Sequence, residues 1–184
     1  MYACKPTFSV MMLTDLTFNS NGVRCAAWHV SARSGALAGL AGRPCVVMAN
    51  GFGGTRDTGL LGFANAFADA GLDAFVFDYR GFGASEGTPR QDISVRRQRQ
   101  DYDAAVAAAR HLPGVDRNRI ALWGTSYSAG HCIVVAAHDR RIAAVVSMTP
   151  PWTASSRCCT SCAKGRSVCC CARPSMGAAT WPAL

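Results

Sequence analysis

The segment Arg119-Ile-Ala-Leu-Trp-Gly-Thr-Ser-Tyr-Ser-Ala-Gly130 constrains this chain more than any other. An apolar strand runs straight into Gly-x-Ser-x-small, and an Ala/Val-rich helix follows at once. That is the layout of a nucleophile elbow, in which a serine sits on a tight strand-to-helix turn. Such a turn forces Ser126 into a strained backbone conformation, so the positions two before and two after it must be small. They are Gly124 and Ser128, and Ser128 departs from the G-x-S-x-G consensus. The strain lifts Oγ out of the sheet, and the start of the next helix turns backbone N–H groups toward a developing oxyanion.

Two upstream segments have the same strand-then-glycine character. Val46 to Ala49 leads into Asn50-Gly51-Phe52-Gly53-Gly54, and Ala74 to Phe77 leads into Asp78-Tyr-Arg-Gly-Phe-Gly-Ala-Ser85. With the elbow segment, these residues resemble the α/β-hydrolase superfamily, in particular its peptidase-, esterase- and dienelactone-hydrolase-like branches. The first loop is similar to that family's H-G-x-G or H-G-G oxyanion motif, with Asn50 where His is usual. The second matches D-x-R-G-x-G-x-S through Asp78, Arg80, Gly81, Gly83 and Ser85. The resemblance covers roughly Val23 to Trp152. It implies Ser126 as nucleophile, backbone N–H groups of Phe52 and Tyr127 as oxyanion donors, and Gly51, Gly53, Gly124 and Ser128 as support for loop and turn.

Short strands alternating with helices point to a parallel, doubly wound sheet. Strands are expected over Thr7–Phe18, Arg24–Val30, Val46–Ala49, Ala74–Phe77, Ile120–Trp123 and Ile142–Ser147, with Asn19–Gly22 as a turn. Helices are expected from an Asp57 or Thr58 cap to Ala70, from Asp92 to Leu112, and from Tyr127 to Ala137. The first should bury Leu60, Leu61, Phe63, Ala64 and Phe67. The fold class is therefore α/β, a partial, mostly parallel sheet of the α/β-hydrolase type without its C-terminal strands.

Beyond Trp152 the composition changes. Residues 153–184 hold Arg157, Lys164, Arg166 and Arg173 but none of the 11 acids, and six of the 10 cysteines crowd between Cys158 and Cys171. The division is a hydrolase domain over 1–152 and a Cys-rich basic tail over 153–184, either disordered or out of frame. Cys159-Thr-Ser-Cys162 has zinc-like spacing, but no periodic apolar pattern surrounds it and no metal is expected. No cofactor is expected either. The net charge of +8 raises nucleic acid as a partner. Arg96, Arg97 and Arg99 instead read as the solvated face of an amphipathic helix, unaccompanied by a binding motif. No run is long and apolar enough for a membrane span, and no signal-peptide core follows Met1, so a cytoplasmic product is expected.

Acyl transfer by serine needs a base, a group that orients it, and oxyanion donors. In the α/β-hydrolase order the acid and the histidine follow the serine on later loops. The chain has 4 histidines, His29, His111, His131 and His138. In a helix starting after Ser126, His131 lies about 7.5 Å further along the axis and ~140° round it, and His138 about 18 Å along. Neither reaches Oγ from there. His29 and His111 precede the serine, on an early strand and at a helix end expected to lie opposite the elbow. The expectation is a serine hydrolase for an ester, amide or lactone, truncated and of low or no activity. The alternatives are a non-catalytic fragment that binds small acyl compounds, and an interaction or metal-binding protein acting through its tail. The apolar strand Ile142–Ser147, left without a neighbour on one side, is expected to favour self-association.

Overall fold

The computed structural model describes residues 13–150. The composition break after Trp152, the Cys158–Cys171 cluster and the part of the first expected strand before Leu13 lie outside the described residues. Within them, six strands form one sheet in the order β1-β2-β4-β3-β5-β6. The strands are β1 Leu13–Ser20, β2 Val23–Val30, β3 Arg43–Ala49, β4 Asp73–Phe77, β5 Val115–Thr125 and β6 Ile142–Met148. The first two run antiparallel to their neighbours, and β4, β3, β5 and β6 are parallel to one another.

The first hairpin closes more tightly than the four-residue turn expected. Ser20 pairs directly with Val23. Only Asn21 and Gly22 remain in the turn, both at positive φ (51° and 83°). This is the two-residue geometry whose twist matches that of antiparallel strands, and Asn-Gly is the pair that tolerates it.

The central strands are apolar throughout because both their faces are covered, and their side chains divide with period two. Cys45, Val47 and Ala49 of β3, with Phe75 and Phe77 of β4, face helices α2 (Val95–Ala109) and α3 (Tyr127–His138). Val46, Met48, Ala74 and Val76 face α1 (Leu60–Asp69) on the other side. Tyr102 of α2 is fully buried and donates its hydroxyl to the Trp123 carbonyl of β5 at 2.9 Å, which anchors the helix on the sheet.

Helix α1 differs from expectation at its start. It begins at Leu60 after Gly59, which is left-handed (φ 78°) and offers no capping side chain. Asp57 and Thr58 are engaged in the preceding loop instead. The Asp57 carboxylate accepts from the Thr55 hydroxyl, and the Thr58 carbonyl accepts from Asn50. The buried face is Leu60, Ala64 and Ala68, with Leu61 and Phe67 partly covered and Phe63 exposed. Phe63 lies over Trp123, ring centroids 4.9 Å apart, rather than in the core. The end follows the rule for glycine after a helix: Gly71 takes φ 94°, and Leu72 N–H reaches back to the Phe67 carbonyl. Helix α2 starts later than the expected Asp92 because Ser94 caps it, its hydroxyl accepting from Arg97 N–H, and it ends at Ala109 rather than Leu112.

Among the described residues β6 is a sheet edge, paired only with β5, with Val146 and Met148 partly exposed. No helix there is long and apolar enough to cross a membrane, and no group of three or more His, Cys, Asp or Glu is placed to hold a metal.

Candidate active site

Strand β5 ends at Thr125 and α3 begins at Tyr127, leaving Ser126 alone on the turn between them. Its φ of 52° and ψ of −116° are a strained conformation for a residue with a side chain. Packing on both sides imposes it. A Cβ at Gly124 would sit 2.6 Å from the Ser128 carbonyl carbon, so only glycine lets the strand pass under the first turn of α3. The Ser126 N–H donates to the Met148 carbonyl of β6 at 2.8 Å. The serine side chain is exposed, and its hydroxyl has no hydrogen-bond partner among the described residues.

The Asn50–Gly54 loop leaves β3 and meets this turn. A Cβ on Gly51 would lie 3.0 Å from the Thr125 carbonyl oxygen and 3.3 Å from Ser126 Cβ, so the loop backbone passes directly against the serine. Gly53 takes φ 70°. The Phe52 ring is exposed and meets Tyr127 edge to face, centroids 5.7 Å apart. Neither Phe52 N–H nor Tyr127 N–H has a partner among the described residues; the first N–H groups of any helix have none within it. A hydroxyl at a sheet's carboxyl end, beside two converging N–H-bearing segments, has the components for attack on a carbonyl and for holding the resulting oxyanion.

Asn50 stands where histidine is usual in such loops, and its amide organises the loop. Its Oδ1 accepts from Gly51 N–H at 2.9 Å, while Nδ2 donates to the carbonyls of Thr55 and Thr58 at 3.1 and 2.8 Å. Ser128, the other departure from consensus, is fully buried. Its hydroxyl accepts from Thr125 N–H at 2.9 Å and faces the carbonyls of Ala49 at 2.9 Å and Thr125 at 3.0 Å. Nothing in local sequence announced these contacts; the unusual residues at two otherwise regular motif positions were the only signal.

The Asp78–Ser85 segment builds the loop beside the site. Asp78 accepts from the N–H groups of Arg56 at 2.6 Å and Ala84 at 3.1 Å, joining it to the Asn50 loop. Burial nevertheless raises its carboxyl above the ordinary value, against the pull of those N–H groups and the Arg56 charge. Gly83, at φ 49°, lies so close to this carboxylate that a side chain would strike it. Arg80 turns away to Asp101, which is fully buried and also holds the Ser20 hydroxyl at 2.6 Å. Ser85 accepts from Ala26 N–H of β2. These motif residues shape the loop and engage the scaffold.

The four histidines are placed elsewhere. His29 Nε2 is 3.4 Å from Asp73, at the opposite, N-terminal end of β4. Nδ1 of His111 lies 2.7 Å from the Ala107 carbonyl, and His138 ends α3 on the surface. His131 is buried between α3 and α2, its Nε2 2.9 Å from Gln98 Oε1. None hydrogen-bonds to Ser126.

His131 gives a prediction of its own. Burial, helped by the Arg99 charge, holds its pKa down at about 4 against an ordinary 6.5. The folded protein keeps this ring neutral while the unfolded chain protonates it, so stability is lost as pH falls from 6.5 to about 4 and no further below. The loss is about 3 kcal/mol at most. Asp73 and Asp139 titrate lower, although burial raises each carboxyl. The nearby His29 ring with hydrogen bonds from Arg43 and Ala32 N–H at Asp73, and hydrogen bonds from Arg110 and Arg141 at Asp139, outweigh it and hold both at about 2. Their stabilisation fades only below about pH 4. Urea melts at pH 7, 5.5 and 4.5 should therefore show a decline that His131→Gln flattens. An unchanged slope in the variant would refute the assignment.

A family model described as the alpha/beta hydrolase fold matches residues 44–161. The quorum-quenching protein AidA of Acinetobacter baumannii is 44% identical over 136 residues, 74% of this chain and 43% of the relative. The thiohydrolase aneE of Aspergillus aculeatus is 38% identical over 112 residues, 61% of this chain and 35% of the relative. Among solved structures, the alpha/beta hydrolase GrgF from Penicillium is 32% identical with a TM-score of 0.68, over 75% of this chain and 46% of that one. A hypothetical protein of Pseudomonas aeruginosa is 28% identical with a TM-score of 0.71, over 80% of this chain and 45% of that one. This chain thus spans less than half the length of these relatives. With a family match over more than half its length, and with the sheet order and the serine-bearing turn described above, the chain belongs to the α/β-hydrolase fold family.

Proposed function

We propose that this chain is the nucleophile-bearing portion of a serine hydrolase acting on an ester, amide or lactone, with Ser126 as nucleophile and the backbone N–H groups of Phe52 and Tyr127 as oxyanion donors. The observation that carries this reading is the positive-φ Ser126 turn, held between Gly124 and the Gly51 backbone. Such strain is retained where the surroundings over-determine it, and it clusters at sites of chemistry. Relatives named as a thiohydrolase and a polyketide transferase fit acyl transfer and extend the substrate class to thioesters.

The base and its acid, on this reading, come from outside these 184 residues, because all four histidines have other surroundings. The same observation favours a second reading, a non-catalytic piece that only binds small acyl compounds. A fusion separates the two. Residues 1–150 joined to the portion of the Acinetobacter relative that this chain does not match should react with a fluorophosphonate at Ser126, and Ser126→Ala should abolish the adduct. A folded fusion that stays unlabelled would favour the binding reading.

We also propose that the β6 edge, unpaired on one side among the described residues, drives self-association, since unpaired, uncharged edge strands template pairing. A single monomeric species at all concentrations in sizing experiments would contradict this.

A further inference from the structure

We propose that Asn50 and Ser128 are paired positioning residues: together they fix the Phe52-bearing loop against the Ser126 turn, and so set the spacing of the two oxyanion donors. The inference rests on the hydrolase reading for its purpose, but on geometry for its content. The connection is continuous. Thr125, just before the serine, is bonded through its N–H to Ser128 Oγ. That hydroxyl also reaches the carbonyl of Ala49, the last residue of β3. Asn50 follows directly, accepting from Gly51 N–H and tying the returning limb of the loop through the Thr55 and Thr58 carbonyls.

A Cβ on Gly54 would fall 2.7 Å from Asn50 Cγ, so the amide is wrapped by its own loop. Because Oδ1 takes up the Gly51 N–H, that donor is withdrawn and Phe52 presents the next free N–H of the loop. A glycine at 128 would leave the Ala49 carbonyl and the Thr125 N–H without this shared partner. A hydroxyl that serves the turn and the neighbouring strand at once makes the two move as one unit.

The test uses the full chain labelled with ¹⁵N, as wild type, Ser128→Ala, Ser128→Thr, Asn50→Ala and Asn50→His. Amide exchange and chemical shifts are read at Gly51, Phe52, Thr125 and Tyr127, with Leu122 and Ala64 as core references. Ser128→Ala should speed exchange at Thr125 by about tenfold, the order expected for one lost hydrogen bond, and should also move the Gly51 and Phe52 resonances. Asn50→Ala should do the reverse, speeding Gly51 and moving Thr125 and Tyr127. Ser128→Thr should restore the wild-type pattern, and Leu122 and Ala64 should stay protected throughout. Changes confined to the mutated segment, or spread equally over the core references, would overturn the proposal. Fluorophosphonate labelling of the fusion described above is a separate readout. Crossed amide effects with no labelling at Ser126 would sink the hydrolase reading and leave the positioning roles standing; labelling without crossed effects would do the opposite.

Discussion

Ester hydrolysis by the purified 184-residue chain should be nearly unaffected by Ser126→Ala, and should lie about six orders of magnitude below that of an intact triad. The magnitude is what loss of the base costs when nucleophile and base act as a unit, near 8 kcal/mol of transition-state stabilisation. The reason lies in where the imidazoles are. His131, nearest to the serine in sequence after it, is turned into the α2–α3 seam against Gln98, and burial favours its neutral ring there. His29 is held beside Asp73 at the far end of the sheet, and His111 and His138 are on the surface. On the proposed reading no base reaches Ser126, its hydroxyl is an ordinary alcohol, and what remains is oxyanion stabilisation, roughly a thousandfold over water in triads stripped of a member. That residue of activity does not need Oγ. Hydrolysis of p-nitrophenyl acetate by the wild type and the alanine variant, side by side, decides the matter. A hundredfold drop in the variant would mean that a base reaches Ser126 in this chain or from a second copy, and the reading above would fall.

Gly124→Ala should destabilise the fold by about 3 kcal/mol, the upper range for forcing atoms into a packed interior. The added methyl meets backbone, the Ser128 carbonyl carbon at 2.6 Å and the Ala129 nitrogen at 2.8 Å, which cannot swing aside as a side chain would. Relief requires lifting α3 from β5 and would disturb the Ser128 bonds to Thr125 and Ala49 as well. Gly62→Ala provides the contrast. It lies inside α1 with open space around its would-be Cβ, so the same methyl should stabilise by up to about 1 kcal/mol through helix propensity. Thermal melts of the two variants should move in opposite directions, Gly124→Ala downward by roughly 10 °C for a domain of this size. Equal shifts would show that the turn is not held by the contact described.

The alternation of apolar strands with amphipathic helices, a turn within Asn19–Gly22 (though not its two-residue length), Gly71 after α1 and the small residues flanking Ser126 were all legible in the sequence. Each rests on local physics: side-chain period, the steric freedom of glycine, and the space a tight turn leaves. They were enough for the α/β class and for the position of the serine at a strand end. Tertiary structure decided the rest, because the deciding contacts join residues far apart in the chain. Thr58 does not cap α1 because its hydroxyl faces that of Thr55, in the loop that Asn50 ties together. Phe63, expected in the core, lies on the surface over Trp123 because Ala64 and Ala68 are the small residues that let α1 approach the sheet. The Ser128 hydroxyl finds Ala49 79 positions away, and Asp101 finds Ser20 81 positions away. No periodicity encodes such pairs. A hydroxyl or carboxylate shows in sequence only that it will need a partner, and the folded sheet alone determines which one it gets.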